Sequence, residues 1–272
     1  MKRKFITYGS NAFKQSSKRI IEEAKALNIF DETYRYEFED LPLSIQASPL
    51  FLDKKKGGHW LWKAYIIYDS LLKLKDNDIL VYVDCGSELY NSDLWIKEFK
   101  LLEESSALFY QYRSDVDYGW KKFNPLLTNS PKIKHWIKDS TKDYFTEIFS
   151  DNYWVEENKI WAGFMILKRD KITLEIIKNW LEIMLYKPEL VIDPLLPELP
   201  QNKEFVAQRY DQTILSAIVR YYEHIGSAIK ILDEKSEQNY TDQIVKASRR
   251  VDKIANNTFK DKLKALYYKI RK

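Results

Sequence analysis

The chain has 272 residues with 45% hydrophobic, 31% charged and 15% aromatic side chains, a balance that excludes a disordered polymer and suits a globular protein with a substantial core. A single cysteine excludes an internal disulfide, no Cys/His cluster has zinc-ligand spacing, and no run approaches the roughly 20 apolar residues of a spanning helix. The net charge of +4 is uneven, with ten Lys/Arg against three Asp/Glu from 242 to 272 and 34 against 37 elsewhere; a basic surplus confined to one end, with no RNA-binding motif, argues against a nucleic-acid partner.

In chain order, "KFITYGS" reads as a first buried strand with a polar, glycine-containing exit. "SKRIIEEAKALNIF" follows with Ile20, Ile21, Ala24 and Leu27 at helical spacing. "YRYEF" reads as the second strand, and an irregular stretch with Pro42, Pro49 and "DKKKGG" leads to a helix carrying Leu61, Tyr65, Tyr68 and Leu72. "DILVYVDCG" is next, with five consecutive apolar residues from Ile79 to Val83, as expected of a central strand covered on both faces. "SDLWIKEFKLLEE" predicts a helix and "SALFYQYR" a strand, while Ser114 to Asn158 shows no clear period. "IWAGFMILK" is strand-like, and "DKITLEIIKNWLEIMLY" helical with Asp170 as its cap. The proline-rich "KPELVIDPLLPELP" reads as a loop, "DQTILSAIVRYYEH" as an amphipathic helix and "AIKILD" as a short strand. Alternating β and α elements imply a mostly parallel sheet with helices on both faces.

Three stretches could carry chemistry. Asp84 falls at the carboxyl end of the apolar strand, the edge at which open α/β sheets bind ligands, although such an aspartate can also simply close its own turn. In "KKKGGHWLWKAY" the glycines at 57 and 58 would allow close approach to a ligand, and the helix after them would aim its unpaired N–H groups there. Lys63, in the first turn of that helix, is unfavourable against the dipole unless an anion such as a bound diphosphate sits beside it; the alternative is a lysine that swings into solvent while the tryptophan pair packs in the core. In "QRYDQTILSAIV", Asp211 opens a helix; its plainest role is an N-cap accepting from Thr213 or Ile214, and Arg209 and Gln212 flank it as a polar cluster that could face a sugar. Cys85 has no neighbouring base, since His59, His135 and His224 lie in unrelated segments, and Asp84 would raise its pKa, so it reads as a packing residue.

"GGHWLWKAYIIYDSLLKLKDNDILVYVDCGSELY" and "RYDQTILSAIV" together resemble a group of bacterial glycosyltransferases of capsule, lipooligosaccharide and O-antigen loci. Members tend to read G-Y-G-x-W-x-W-K-P-Y-I-I, then G-D-I-L-x-Y-x-D-A-G-C-E, and later H-R-x-D-Q-S-I-x-S. The opening "FITYGSNAF" is similar to their start, so the likeness covers most of residues 1 to 220. It implies a GT-A-like, Rossmann-like fold, a UDP- or GDP-sugar donor, a glycan or lipid-linked glycan acceptor, and a divalent metal, Mn²⁺ or Mg²⁺. Trp62 and Lys63 match the W-K, Asp84 and Gly86 the D-x-G that replaces a D-x-D, and Asp211 and Gln212 the D-Q pair. Ala64 replaces the usual proline, Cys85 and Ser87 stand around the glycine, and Gln208 replaces a common histidine, so no role of that histidine carries over.

On this resemblance the donor site would comprise Thr7, Tyr8, Gly58, Trp62, Lys63, Asp84, Gly86 and Arg209, with Asp84 the metal ligand and Asp211 and Gln212 at the reacting centre. Glu88, Glu156 and Glu157 are better read as surface charges. A non-catalytic nucleotide- or glycan-binding module with the same fold is the alternative. Residues 1 to 240 would form the transferase domain and 241 to 272 a basic helical tail, in which Phe259, Leu263, Leu266, Tyr267 and Ile270 form an apolar stripe suited either to an anionic membrane surface or to docking on the domain. The amino terminus lacks the apolar core and cleavage site of a signal peptide, so the expected location is cytoplasmic, at most peripheral to the membrane.

Overall fold

The structure is a computed structural model, and it describes residues 1–52, 54–90, 93–120, 129–193 and 201–251. Its centre is a six-stranded sheet: β1 (Arg3–Tyr8), β2 (Glu32–Tyr36), β3 (Ile79–Val83), β5 (Ala107–Gln111), β6 (Phe164–Lys168) and β7 (Ile229–Asp233), in the order β2-β1-β3-β6-β5-β7. β1 runs parallel to β2 and β3, β5 runs parallel to β7, and β6 is antiparallel to both of its neighbours, β3 and β5. A separate two-stranded ribbon pairs β4 (Glu88–Leu89) with β8 (Val245–Lys246). A mostly parallel sheet between helical layers is what the alternation of β and α elements led us to expect.

The main helices are α1 (Lys14–Ala26), α2 (Leu61–Leu72), α3 (Leu94–Leu101), α4 (Asp139–Phe149), α5 (Lys171–Tyr186) and α6 (Tyr210–His224). Side chains on a strand alternate between faces, and here the alternation sorts the core into two layers. Ile6, Tyr8, Leu80, Tyr82, Phe109, Met165 and Leu167 pack with α2, α5 and α6. Phe5, Ile79, Val81, Val83, Leu108, Tyr110, Phe164 and Ile166 pack with α1 and α3. Asp170 caps α5 by accepting the Thr173 amide at 2.9 Å, as its position before the apolar period predicts.

Two expectations needed correction. "IWAGFMILK" is strand only from Phe164; Ile160 to Gly163 instead form the approach to the sheet edge, because Trp161 folds back over Gly163, where a β-carbon would lie 2.6 Å from the indole. The charge shift at residue 241 does not mark the end of the packed domain. Ile244 and Val245 are buried and β8 pairs with β4, since net charge says nothing about where two apolar residues insert. The stripe from Phe259 to Ile270 lies outside the described residues, as does most of "PLLPELP". Among the described residues no helix is long and apolar enough to cross a membrane.

Candidate active site

β1, β3 and β5 end at one edge of the sheet, and β6, running the other way, begins there. Asp84 continues the Leu80, Tyr82 alternation toward the layer of α2 and α6, and the first turns of those two helices carry Lys63 and Asp211. Strand period and helix starts therefore bring three residues together from positions 63, 84 and 211. The Lys63 ammonium lies 3.2 Å from Asp84 Oδ1 and 3.2 Å from Asp211 Oδ2, and donates to the Ala162 carbonyl at 3.1 Å.

The two carboxylates differ in exposure. Lys63 is 3% exposed and Asp211 5%, whereas the Asp84 side chain is 39% open to solvent. Burial raises the Asp211 carboxyl to about 6, more than the Lys63 charge lowers it, and the neighbouring Asp84 charge raises it further. Burial alone would lower the Lys63 pKa, but the two aspartates outweigh it and the ammonium is retained above its ordinary range. Among the described residues Asp211 Oδ2 has no aligned hydrogen-bond partner, and its contact with Lys63 is an ion pair. Asp211 is not the helix cap: Arg209 stands at that position, without a side-chain cap bond, and the carboxylate turns to Lys63 instead.

The remaining predicted residues surround this centre. Thr7 is fully buried and donates to the Val83 carbonyl at 2.7 Å, clamping β1 to β3 just below Asp84. Tyr8 stacks on Trp62 with centroids 4.0 Å apart, and Trp62 Nε1 donates to Gly57 O at 3.2 Å. Gly86 lies against the backbone of Arg249 and Arg250, and its carbonyl accepts the Arg250 amide at 2.8 Å; the chain itself makes the close approach there. Gln212 donates to the Ile160 carbonyl at 2.6 Å, and the Arg209 guanidinium sits 4.5 Å from the centroid of the Trp136 ring. Cys85 is buried and pushed up to about 12 by burial and by Asp84, consistent with packing. Glu156 pairs with Lys132 and Lys134 at the surface.

Gly57, Gly58, His59 and Trp60 all have φ between 48° and 70°, a left-handed turn that sets the start of α2, and Tyr210, also at positive φ, packs its ring on His59 and Trp60. Left-handed backbone at non-glycine residues is costly and collects at functional sites. Here it fixes the registers of α2 and α6, and with them Lys63 and Asp211. Gly58→Ala should lower stability by about 1–3 kcal/mol, because a β-carbon would meet the Phe51 ring at 2.7 Å in a backbone that already disfavours it. An unchanged urea midpoint would count against this account of the turn.

Other participants were not apparent from the sequence. The Tyr82 hydroxyl donates to Asp84 Oδ1, the Gly163 carbonyl accepts the Asp84 amide at 2.8 Å, and Ala162 supplies the lysine's acceptor. The available signal was the alternation in "LVYVD", which places Tyr82 and Asp84 on one face.

The expected metal does not fit this donor set. Among the described residues no three His, Cys, Asp or Glu side chains converge. Asp84, the one exposed carboxylate, shares its charge with an ammonium 3.2 Å away that would repel a divalent ion. Lys63 is the cation between the two carboxylates.

No protein-family profile and no curated protein matches the chain. Among solved structures it is similar to a glycosyltransferase involved in the glycosylation of the major capsid of PBCV-1, with 12% identity over 98% of this chain and 100% of that one and a TM-score of 0.48. Mouse xyloside xylosyltransferase 1 is 11% identical over 86% of each chain, with a TM-score of 0.39. The 4-diphosphocytidyl-2C-methyl-D-erythritol synthase of Anaerococcus prevotii is 10% identical over 98% of this chain and 97% of that one, with a TM-score of 0.38. At these identities and scores none of the three bears on the reaction.

Proposed function

We propose that the chain is a glycosyltransferase that moves a sugar from a UDP- or GDP-sugar to a growing bacterial surface glycan. The observation that carries this reading is the pair of carboxylates, one exposed and one buried, held by a single buried ammonium at the carboxyl edge of a mostly parallel sheet. Asp84 is the carboxylate open to an incoming donor and orients it. Asp211, dry and raised to about 6, is still ionised at neutral pH and accepts the proton of the acceptor hydroxyl. The N–H groups opening α2 offset the charge that develops on the departing diphosphate. Lys63 makes one hydrogen bond and two ion contacts within the site, so its part is to hold the carboxylates in place. The sequence resemblance supports the same reading, because Lys63, Asp84 and Asp211 are among the positions it singles out. An inner-leaflet acceptor would suit the basic tail as a peripheral membrane contact.

The reading is tested by a thermal-shift screen of nucleotides and nucleotide sugars, followed by measurement of nucleoside diphosphate release with glycan acceptors. UDP or GDP at about 100 times its dissociation constant should stabilise the fold by about 2.7 kcal/mol. Asp84→Asn should reduce sugar-dependent release, and Mn²⁺ without nucleotide should leave the melting temperature unchanged. Binding without release under any acceptor would leave a binding module in place of the enzyme.

A further inference from the structure

A second cationic feature adjoins this centre. Lys159 is held from both sides, its amide donating to the Pro131 carbonyl at 2.9 Å and its carbonyl accepting the Tyr112 amide at 3.1 Å. Its side chain is almost fully buried, with the ammonium 3.9, 4.0 and 4.5 Å from the ring centroids of Trp120, Trp136 and Tyr112. The Arg209 guanidinium lies on the same Trp136 ring, and its buried Nε–H has no acceptor among the described residues.

Among the described residues no carboxylate pairs with either cation. Glu237 acts on Lys159 electrostatically, but its carboxylate is held by Arg249 at 2.5 Å and by the Tyr112 hydroxyl at 3.4 Å. Burial, with Arg209 adding to it, drives the Lys159 pKa well below its ordinary value. Two neighbouring cations in a dry aromatic pocket repel each other, and ring faces offset only part of the desolvation of an ammonium. An anion would offset both charges together.

The location indicates whose anion it would be. Gln212, next to Asp211, donates to the Ile160 carbonyl, next to Lys159. That bond joins the start of α6, which carries Asp211, to the approach that carries Lys159 on the β5 side of the sheet; Trp120, Trp136 and Tyr112 belong to the core layer of α1 and α3, whereas Tyr8 and Trp62 belong to the other layer. We infer that Lys159 and Arg209, walled by Trp120, Trp136 and Tyr112, form a subsite for an anionic group of the acceptor, a carboxylate or a phosphate. The word acceptor rests on the transferase reading above; the anion site itself does not.

The test is a set of thermal-shift and tryptophan-fluorescence titrations at low ionic strength with glycerol phosphate, methyl glucuronide and neutral methyl glucoside. Either or both anions should raise the melting temperature of the wild type by about 2–4 °C near saturation and perturb its emission, while the neutral glucoside does neither. Whichever anion binds more tightly identifies the group. Lys159→Met should melt higher than the wild type without ligand, because it removes an uncompensated charge, and should bind the anions at least about tenfold more weakly. Arg209→Gln, which keeps a hydrogen-bonding side chain, should weaken them in the same direction and serves if the first variant does not fold. Absence of any anion response, an equal response to methyl glucoside, or an undiminished response in both variants overturns the subsite. UDP and GDP titrated in parallel separate the two readings. A nucleotide response without an anion response removes the subsite alone, and a Lys159-dependent anion response without a nucleotide response leaves the subsite and removes the transferase.

Discussion

Lys63→Met is expected to destabilise the fold by about 3–5 kcal/mol at pH 7.5, the usual cost of removing one partner from a buried ionic cluster. The loss should shrink as the pH falls toward 5. In the wild type the Asp211 carboxyl is already raised to about 6, so the stability linked to its protonated form is complete below its unfolded pKa and is lost as pH rises through 6. Without the ammonium the folded-state pKa climbs further, so the loss relative to the wild type grows as the pH rises above about 6 and is small below it. Protonation relieves the dry, unpaired carboxylate, whereas the more exposed Asp84 is screened by water. Adding Asp211→Asn to Lys63→Met should recover most of the loss at pH 7.5, a coupling of the kind a double-mutant cycle reads directly. Equal losses at pH 7.5 and pH 5, measured by urea unfolding, would refute the electrostatic origin.

The second large effect concerns turnover. In the wild type, kcat/KM for sugar transfer should rise with pH through an apparent pKa near 6, because Asp211 must be ionised to take the acceptor proton. Asp211→Asn keeps the shape and removes the base. It should lower kcat by about 10²–10⁴ and abolish the acidic limb, within the range general base catalysis contributes. An Asn variant with near-normal kcat and the same acidic limb would reduce Asp211 to a structural partner of Lys63 and move the base elsewhere.

The central strand, its terminal aspartate and the helix starts at Lys63 and Asp211 were legible because each is a local pattern: a continuous apolar run, a glycine pair before a helical period, an acid opening an amphipathic stretch. What offsets Lys63 was not legible. A cation in a first helical turn suggests an anion nearby, and a diphosphate was the natural candidate; the protein supplies two of its own carboxylates. Lys159 gave no signal at all, since Tyr112, Trp120, Trp136 and Arg209 approach it from segments far apart in sequence. Much of that surrounding lies in the stretch from Ser114 to Asn158, whose described residues hold short 3₁₀ turns and the helix α4 but no continuous period to read.

The reversed direction of β6 shapes how such a protein could diversify. The short approach from Lys159 to Phe164 carries the ammonium of the anion pocket at one end and, at the other, the carbonyls that receive Lys63 and the Asp84 amide. One added or deleted residue there would move both halves of the site at once. Trp120 and Trp136 come from separate segments and, among the described residues, make no hydrogen bond or ion pair with Lys63, Asp84 or Asp211, so exchanging those rings would reshape the anion pocket while leaving the carboxylate centre in register.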